Sequence, residues 1–183
     1  EAIARAEGEA VAAAAHLLRR ENLPCPSVSV GSTPTYRQSG LIPGVTEIRP
    51  GNYVFHDGIQ VGLGVATLDD CALQVLTTVI AVYEDRFVID AGSKALGLDR
   101  GAHGIELVPG HGLFPECADW VLSRLSEEHG VVSLRPGQPQ PPVGRQLRLI
   151  PNHACAAVNL AATLHLVEGS NVIAKWPVVG KHP

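Results

Sequence analysis

The sequence predicts a two-part chain: the last α/β units of a parallel barrel, then an antiparallel β body of barrel-like form. Three observations carry this. Residues 1–20 show a helical pattern, and two short strands follow, each running straight into a Gly- or Pro-bearing turn. Beyond residue 71 the pattern becomes strands and tight hairpins. The composition, with 45% hydrophobic and 4% aromatic residues, Gly 19 and Pro 14, suits a β-rich body with short connections better than a helical bundle.

At 183 residues the chain can hold one good core and part of a second domain. A formal net charge of -4 without a basic cluster argues against nucleic acid as a partner. No apolar run reaches the roughly 18 residues of a membrane span, and no secretory leader is visible. Cys25, Cys71, Cys117 and Cys155 are far apart, without a C-x-x-C among them. A reducing, cytoplasmic setting is therefore expected, rather than a disulfide framework or zinc finger. There is no initiator Met, and the chain opens inside a helical pattern, so a piece of a longer protein is expected.

In chain order, Ile3, Ala6, Ala10, Val11, Ala14, Leu17 and Leu18 recur at helical spacing and define the expected apolar face of a first helix, stopped at Asn22-Leu23-Pro24. Ser27 to Val30 reads as a strand entering Gly31-Ser32-Thr33-Pro34-Thr35. Glycine lets backbone approach an anion and the hydroxyls donate to it; a plain turn capped by Ser32 or Thr33 is the other reading. Val45 to Ile48 is a second strand, entering Arg49-Pro50-Gly51-Asn52-Tyr53. His56 and Asp57 read as surface turn residues. Gly58 to Asp70 is a Gly-rich connection.

Ala72 to Tyr83 is expected as a long strand, paired through Glu84-Asp85 with Arg86 to Asp90. Lys94 follows in Asp90-Ala91-Gly92-Ser93-Lys94-Ala95-Leu96, as a surface or orienting lysine rather than a Schiff-base one. Gly101 to Gly112 is turn-rich, and Trp120 to Leu125 fits either helix or strand. Ser126-Glu127-Glu128-His129-Gly130 is a solvated turn, a proton relay or, through Glu128 and His129, a second layer around a metal. Val131 to Leu134 and Gln146 to Ile150 are strands, and Leu164 to Val167 with Val172 to Val179 forms a closing hairpin. Between them lies Pro151-Asn152-His153-Ala154-Cys155. On an extended backbone His153 and Cys155 point the same way, and an imidazole with a thiolate suits zinc in an open site. A buried cysteine beside a backbone-bonded loop histidine is the alternative.

Five motifs then stand in order: Val28 to Thr35, Glu47 to Phe55, Asp90 to Leu96, Ser126 to Gly130 and Pro151 to Cys155. Together they resemble the C-terminal half of the D-serine dehydratase and D-threonine aldolase family, pyridoxal-phosphate enzymes of the alanine-racemase fold type. The resemblance runs from the first helix to Trp176-Pro177-Val178. It implies that residues 1–57 are the end of the α/β (TIM-type) cofactor barrel, 58–71 a linker and 72–183 a β domain carrying the metal site. It implies pyridoxal 5'-phosphate and Zn2+ as cofactors and a homodimer. Its Schiff-base lysine is expected upstream of this chain, which would leave the chain inactive alone. Gly31, Ser32 and Thr33, with Gly51, Asn52 and Tyr53, are implied at the cofactor phosphate; His153 and Cys155 are implied at the metal. A thiolate rather than a carboxylate in the pair leans toward β-elimination of a D-hydroxy-amino acid. Metal-assisted aldol cleavage is the closest rival, and a non-catalytic metal-binding β domain is the reading from another class.

Overall fold

The structure is a computed structural model describing residues 1–101 and 106–179; the rest of the turn-rich 101–112 stretch lies outside the described residues. The chain divides into two compact units, Glu1–Val54 and Phe55–Pro183.

The first unit opens with helix α1, Ala2–Arg20. It ends where sequence reading places it, and the geometry gives the reason. Asn22 turns left-handed (φ 59). Leu23 N–H then donates to Leu18 O at 3.0 Å and Asn22 N–H to Arg19 O at 3.1 Å, which satisfies carbonyls the helix leaves open. The expected apolar face is not the buried one. Ala4, Gly8 and Ala15 are buried, whereas Ile3, Leu17 and Leu18 are exposed. Close approach selects small residues: a Cβ on Gly8 would lie 2.6 Å from Ile42 Cγ1. Strands β1 (Ser29–Gly31) and β2 (Glu47–Arg49) pair in parallel, Gly31 opposite Arg49, with the short helix α2 (Tyr36–Ser39) between them in sequence. Parallel pairing puts the turns that follow both strands at the same end of the pair.

The second unit begins with helix α3, Gly58–Gly62, and a turn of 3-10 helix at Leu68–Asp70. Strand β3 (Val75–Val82) forms the expected hairpin with β4 (Arg86–Ile89), closed by Tyr83 N–H donating to Arg86 O at 2.8 Å. Helix α4 is Ser93–Leu96 and β5 is Gly112–Leu113. The ambiguous stretch after Trp120 is a strand, β6 (Val121–Leu125), because Leu122 pairs opposite Val132 of β7 (Gly130–Ser133) and both face the core. Strand β8 is Gln146–Pro151, helix α5 is Ala154–Leu160, and β9 (Thr163–Glu168) with β10 (Asn171–Pro177) is a separate hairpin.

Six strands form one antiparallel sheet in the order β5-β8-β3-β4-β7-β6. Its two edges meet: His111 N–H, beside β5, donates to Leu122 O of β6 at 3.0 Å. The sheet thus curls almost closed and hides its own edges. Alternate residues point inward, and Phe87, Phe114 and Trp120 stack edge to face at the centre, with ring centroids 5.0–6.3 Å apart. Val79, Ile89, Leu122, Val132, Leu147 and Leu149 complete a core with almost no solvent exposure.

The motif after β4 is a structural joint. The Asp90 carboxylate accepts from Thr78 N–H and Thr77 Oγ1, both at 2.7 Å. Partial desolvation pushes its pKa up, but these bonds outweigh that and hold it below the ordinary value. A Cβ on Gly92 would lie 2.4 Å from Glu127 O, so only glycine admits the turn between β6 and β7 there. Ser93 and Lys94 N–H groups donate to the Ser126 and Glu127 carbonyls at 2.9 and 3.1 Å. Two of the five motifs are therefore the two halves of one contact.

The seam depends on Gly110. Its φ is 80, and a Cβ there would lie 2.3 Å from Leu122 O. Gly110→Ala is expected to lose about 1–2 kcal/mol from the left-handed backbone alone, and more from the clash. Gly169→Ala is the comparison, since Gly169 shares the positive φ (60) but has nothing within 4 Å. Denaturant unfolding should show the larger loss at Gly110; equal losses would mean that the seam is not tightly closed.

Candidate functional site

The expectation that His56 and Asp57 lie in a surface turn is wrong: both are buried, Asp57 with 0% exposure. The reason is a double cap. Asp57 Oδ1 accepts from Gln60 N–H at 3.1 Å, capping α3, and Oδ2 accepts from Ala154 N–H at 2.9 Å, at the start of α5. One buried carboxylate thus serves open N–H groups of two helices, next to the positive end of each. Ile59 N–H donates to Asn152 O at 3.1 Å, and a Cβ on Gly58 would meet Asn152 Oδ1 at 2.9 Å. Asn152 is itself buried, and its Nδ2 donates to Gly110 O at 2.8 Å and Asp99 O at 3.1 Å. The residues on both sides of His153 are therefore fixed.

His153 is the N-cap of α5, with φ -130 and ψ 102, and its Nδ1 lies 2.9 Å from Asp99 Oδ2. Cys155 occupies the second position of the helix and is exposed. The extended backbone assumed for the pair is not what forms. Pro151 ends β8, the alanine-rich run favours helix, and Asp57 caps it, so the chain turns at Ala154. The pair is joined by a helix start rather than by strand alternation.

The donor set suits a soft cation. With Nδ1 occupied by Asp99, imidazole Nε2 is the nitrogen left to ligate. Desolvation, then the nearby Asp57 charge, raises the Cys155 thiol pKa despite a lowering bond from its own backbone. A cation would have to displace that proton. Among the described residues no group of three or more His, Cys, Asp or Glu is gathered for a metal. An ion on this pair would complete its shell with water or substrate, as open sites do.

Glu128 and His129 lie in the exposed turn between β6 and β7. Lys94 Nζ holds Glu128 Oε1 at 2.7 Å and Glu127 Oε2 at 2.9 Å. Glu128, then Glu127, raises the Lys94 pKa. The main chain of His129 bonds with Ser126. No hydrogen bond or ion pair joins Glu128 or His129 to His153 or Cys155.

In the first unit, Gly31 ends β1 and Ser32 and Thr33 follow it, while Gly51, Asn52 and Tyr53 follow its parallel partner β2. Ser32 adopts φ 75, which turns the chain sharply out of the strand. Thr33 is buried and its Oγ1 has no partner, as expected of a donor waiting for an anion. Gly51 has open space where a Cβ would sit, and Tyr53 is half exposed, with its ring 6.2 Å from that of Tyr36. The phosphate of a cofactor fits this cradle by its chemistry.

Sequence reading missed Asp57, Asp99 and Asn152. Asp57 carried a signal: Asp57-Gly58-Ile59-Gln60 has the spacing of a capped helix start. Asp99 and Asn152 act across long separations that no local pattern reports. Asp57→Ala should lose about 1–4 kcal/mol, the sum of two caps of about 0.5–2 kcal/mol each, because it strands two N–H groups. Asp57→Asn keeps one acceptor oxygen and should lose about half. Urea unfolding measures both, and equal stability of all three proteins would refute the double cap.

A family model described as "Putative serine dehydratase domain" matches residues 72–167. The D-threo-3-hydroxyaspartate dehydratase of Delftia sp. is 38% identical over 169 residues, covering 85% of this chain and 44% of that enzyme. The D-serine dehydratase of Dictyostelium discoideum is 30% identical, covering 85% of the chain and 43% of the enzyme. A D-threonine aldolase of Arthrobacter sp. is 29% identical, over 96% and 45%. The chain thus spans under half the length of these curated relatives. The solved Delftia dehydratase superposes with a TM-score of 0.84 at 34% identity, over 97% of this chain and 50% of that one. An alanine-racemase-like protein of Idiomarina loihiensis gives 0.84 at 29%, with the same coverage. Two further structures are a His-to-Ala and a Cys-to-Ala variant of a D-threo-3-hydroxyaspartate dehydratase, the altered positions two residues apart and the cysteine variant in a metal-free form. Among the described residues no helix is long and apolar enough to cross a membrane. With its α/β end and nearly closed antiparallel barrel in the alanine-racemase-like fold, the chain belongs to the serine dehydratase-domain family, whose named relatives are dehydratases and an aldolase of D-amino acids.

Proposed function

We propose that this chain is the C-terminal part of a zinc- and pyridoxal-phosphate-dependent D-amino-acid lyase that removes the β-hydroxyl of a D-hydroxy-amino acid, giving a 2-oxo acid and ammonia. The observation that carries the reading is the His153–Cys155 pair on a fixed helix start. A relative's solved variants alter a His and a Cys at the same spacing. When bound, pyridoxal phosphate supplies an electron sink for a Cα carbanion and zinc supplies Lewis acidity at a β-oxygen.

The chain's own residues have defined tasks. Gly31, Ser32 and Thr33 hold the phosphate through close backbone and a buried hydroxyl, with Gly51, Asn52 and Tyr53 beside them. His153 Nε2 and Cys155 Sγ hold the metal, and Asp57 keeps the start of α5 in place. Cys155 gives up its proton on binding. A thiolate in place of a carboxylate favours zinc over magnesium or manganese, and so favours departure of hydroxide over aldol cleavage. The protein works in the cytoplasm, as a homodimer, on a small-molecule substrate. The four cysteines are all free, as a reducing setting requires.

The full-length enzyme should release pyruvate from D-serine, or oxaloacetate from D-threo-3-hydroxyaspartate, and should carry zinc. Cys155→Ala should lose the zinc and at least about 100-fold in activity, the scale on which a Lewis acid assists a poor leaving group. Glycine and acetaldehyde from D-threonine, without a 2-oxo acid from either substrate, would assign the aldolase reaction instead.

A further inference from the structure

We propose that Asp99 is the positioning residue of the metal site: its carboxylate holds the proton of neutral His153 on Nδ1 and so presents Nε2 to the metal. This rests on the reading of His153 and Cys155 as ligands. Asp99 Oδ2 lies 2.9 Å from His153 Nδ1. Asp99 is in turn fixed from behind, since its carbonyl accepts the Nδ2 of buried Asn152 at 3.1 Å. The segment leading to it is seated on α5: Gly97 turns with φ 76, and a Cβ there would lie 3.1 Å from Ala156 Cβ. One loop therefore touches α5, the residue before His153 and the imidazole itself.

The pair is half exposed, at 39% and 44%, so its worth as an ion pair is small. Its effect is on tautomer and ring angle. A free imidazole divides its proton between two nitrogens and turns about χ2; a carboxylate on one nitrogen leaves the other as a lone pair with a fixed direction. Removing such a partner weakens metal binding by about 10–100-fold.

The test uses the full-length protein with zinc alone, measuring affinity by chelator competition. Asp99→Ala should weaken zinc by about 10–100-fold, and Asp99→Asn, which keeps an acceptor oxygen, should stay within about threefold of wild type. Cobalt-loaded Asp99→Ala should retain its thiolate-to-cobalt absorption, because Cys155 still ligates. Histidine-selective 15N shifts of the metal-free protein should show His153 protonated on Nδ1 in wild type and Asp99→Asn but not in Asp99→Ala. Unchanged affinity and tautomer in Asp99→Ala overturn the proposal. Equal loss in both variants with an altered cobalt spectrum also overturns it, by making Asp99 a charged ligand. Zinc binding in wild type that is indifferent to His153→Ala and Cys155→Ala refutes the ligand reading instead, while the 15N shifts still decide the role of Asp99.

Discussion

The buried carboxylate of Asp57 is the constraint on which the site depends. A carboxylate removed from water must be met by donors, and here it takes the N–H of Gln60 and the N–H of Ala154. Neither helix is long enough to be stable alone, at five and seven residues. By joining their starts, Asp57 makes each the support of the other. His153 and Cys155 flank the capped Ala154, so their placement follows from a carboxylate that belongs to neither of them.

A second constraint reaches the same place from the barrel. The seam closes only because Gly110 passes close to Leu122, and the carbonyl of that glycine accepts from Asn152. Asn152 also grips the Asp99 carbonyl, and its own main chain takes Ile59 N–H. Barrel closure, the α3 start and the Asp99 loop thus converge on the residue before His153. His153 and Cys155 thus stand on a braced element rather than on a free loop.

Much of this was legible in the sequence, in proportion to how local the cause is. The β3–β4 hairpin and the β9–β10 hairpin follow from alternation and two-residue turns, and the end of α1 follows from Asn22 and Pro24. The buried face of α1 did not follow, since hydrophobicity points to Ile3, Leu17 and Leu18, whereas close packing selects Ala4, Gly8 and Ala15. The Asp90–Leu96 and Ser126–Gly130 motifs were visible as strings, but not as one contact between Gly92 and Glu127. The His153–Cys155 pair was found with the wrong backbone. Strand periodicity was carried past Pro151, and the cap that turns the chain into α5 stands 97 residues away.

The proposed site in the β unit holds a metal through one imidazole and one thiolate on a braced helix start. Zinc-edge X-ray absorption on the full-length protein reads this directly. It should show one sulfur at about 2.3 Å and one imidazole nitrogen at about 2.0 Å, the remaining positions being oxygen. A shell without sulfur, or one with several sulfurs, would refute this ligand set.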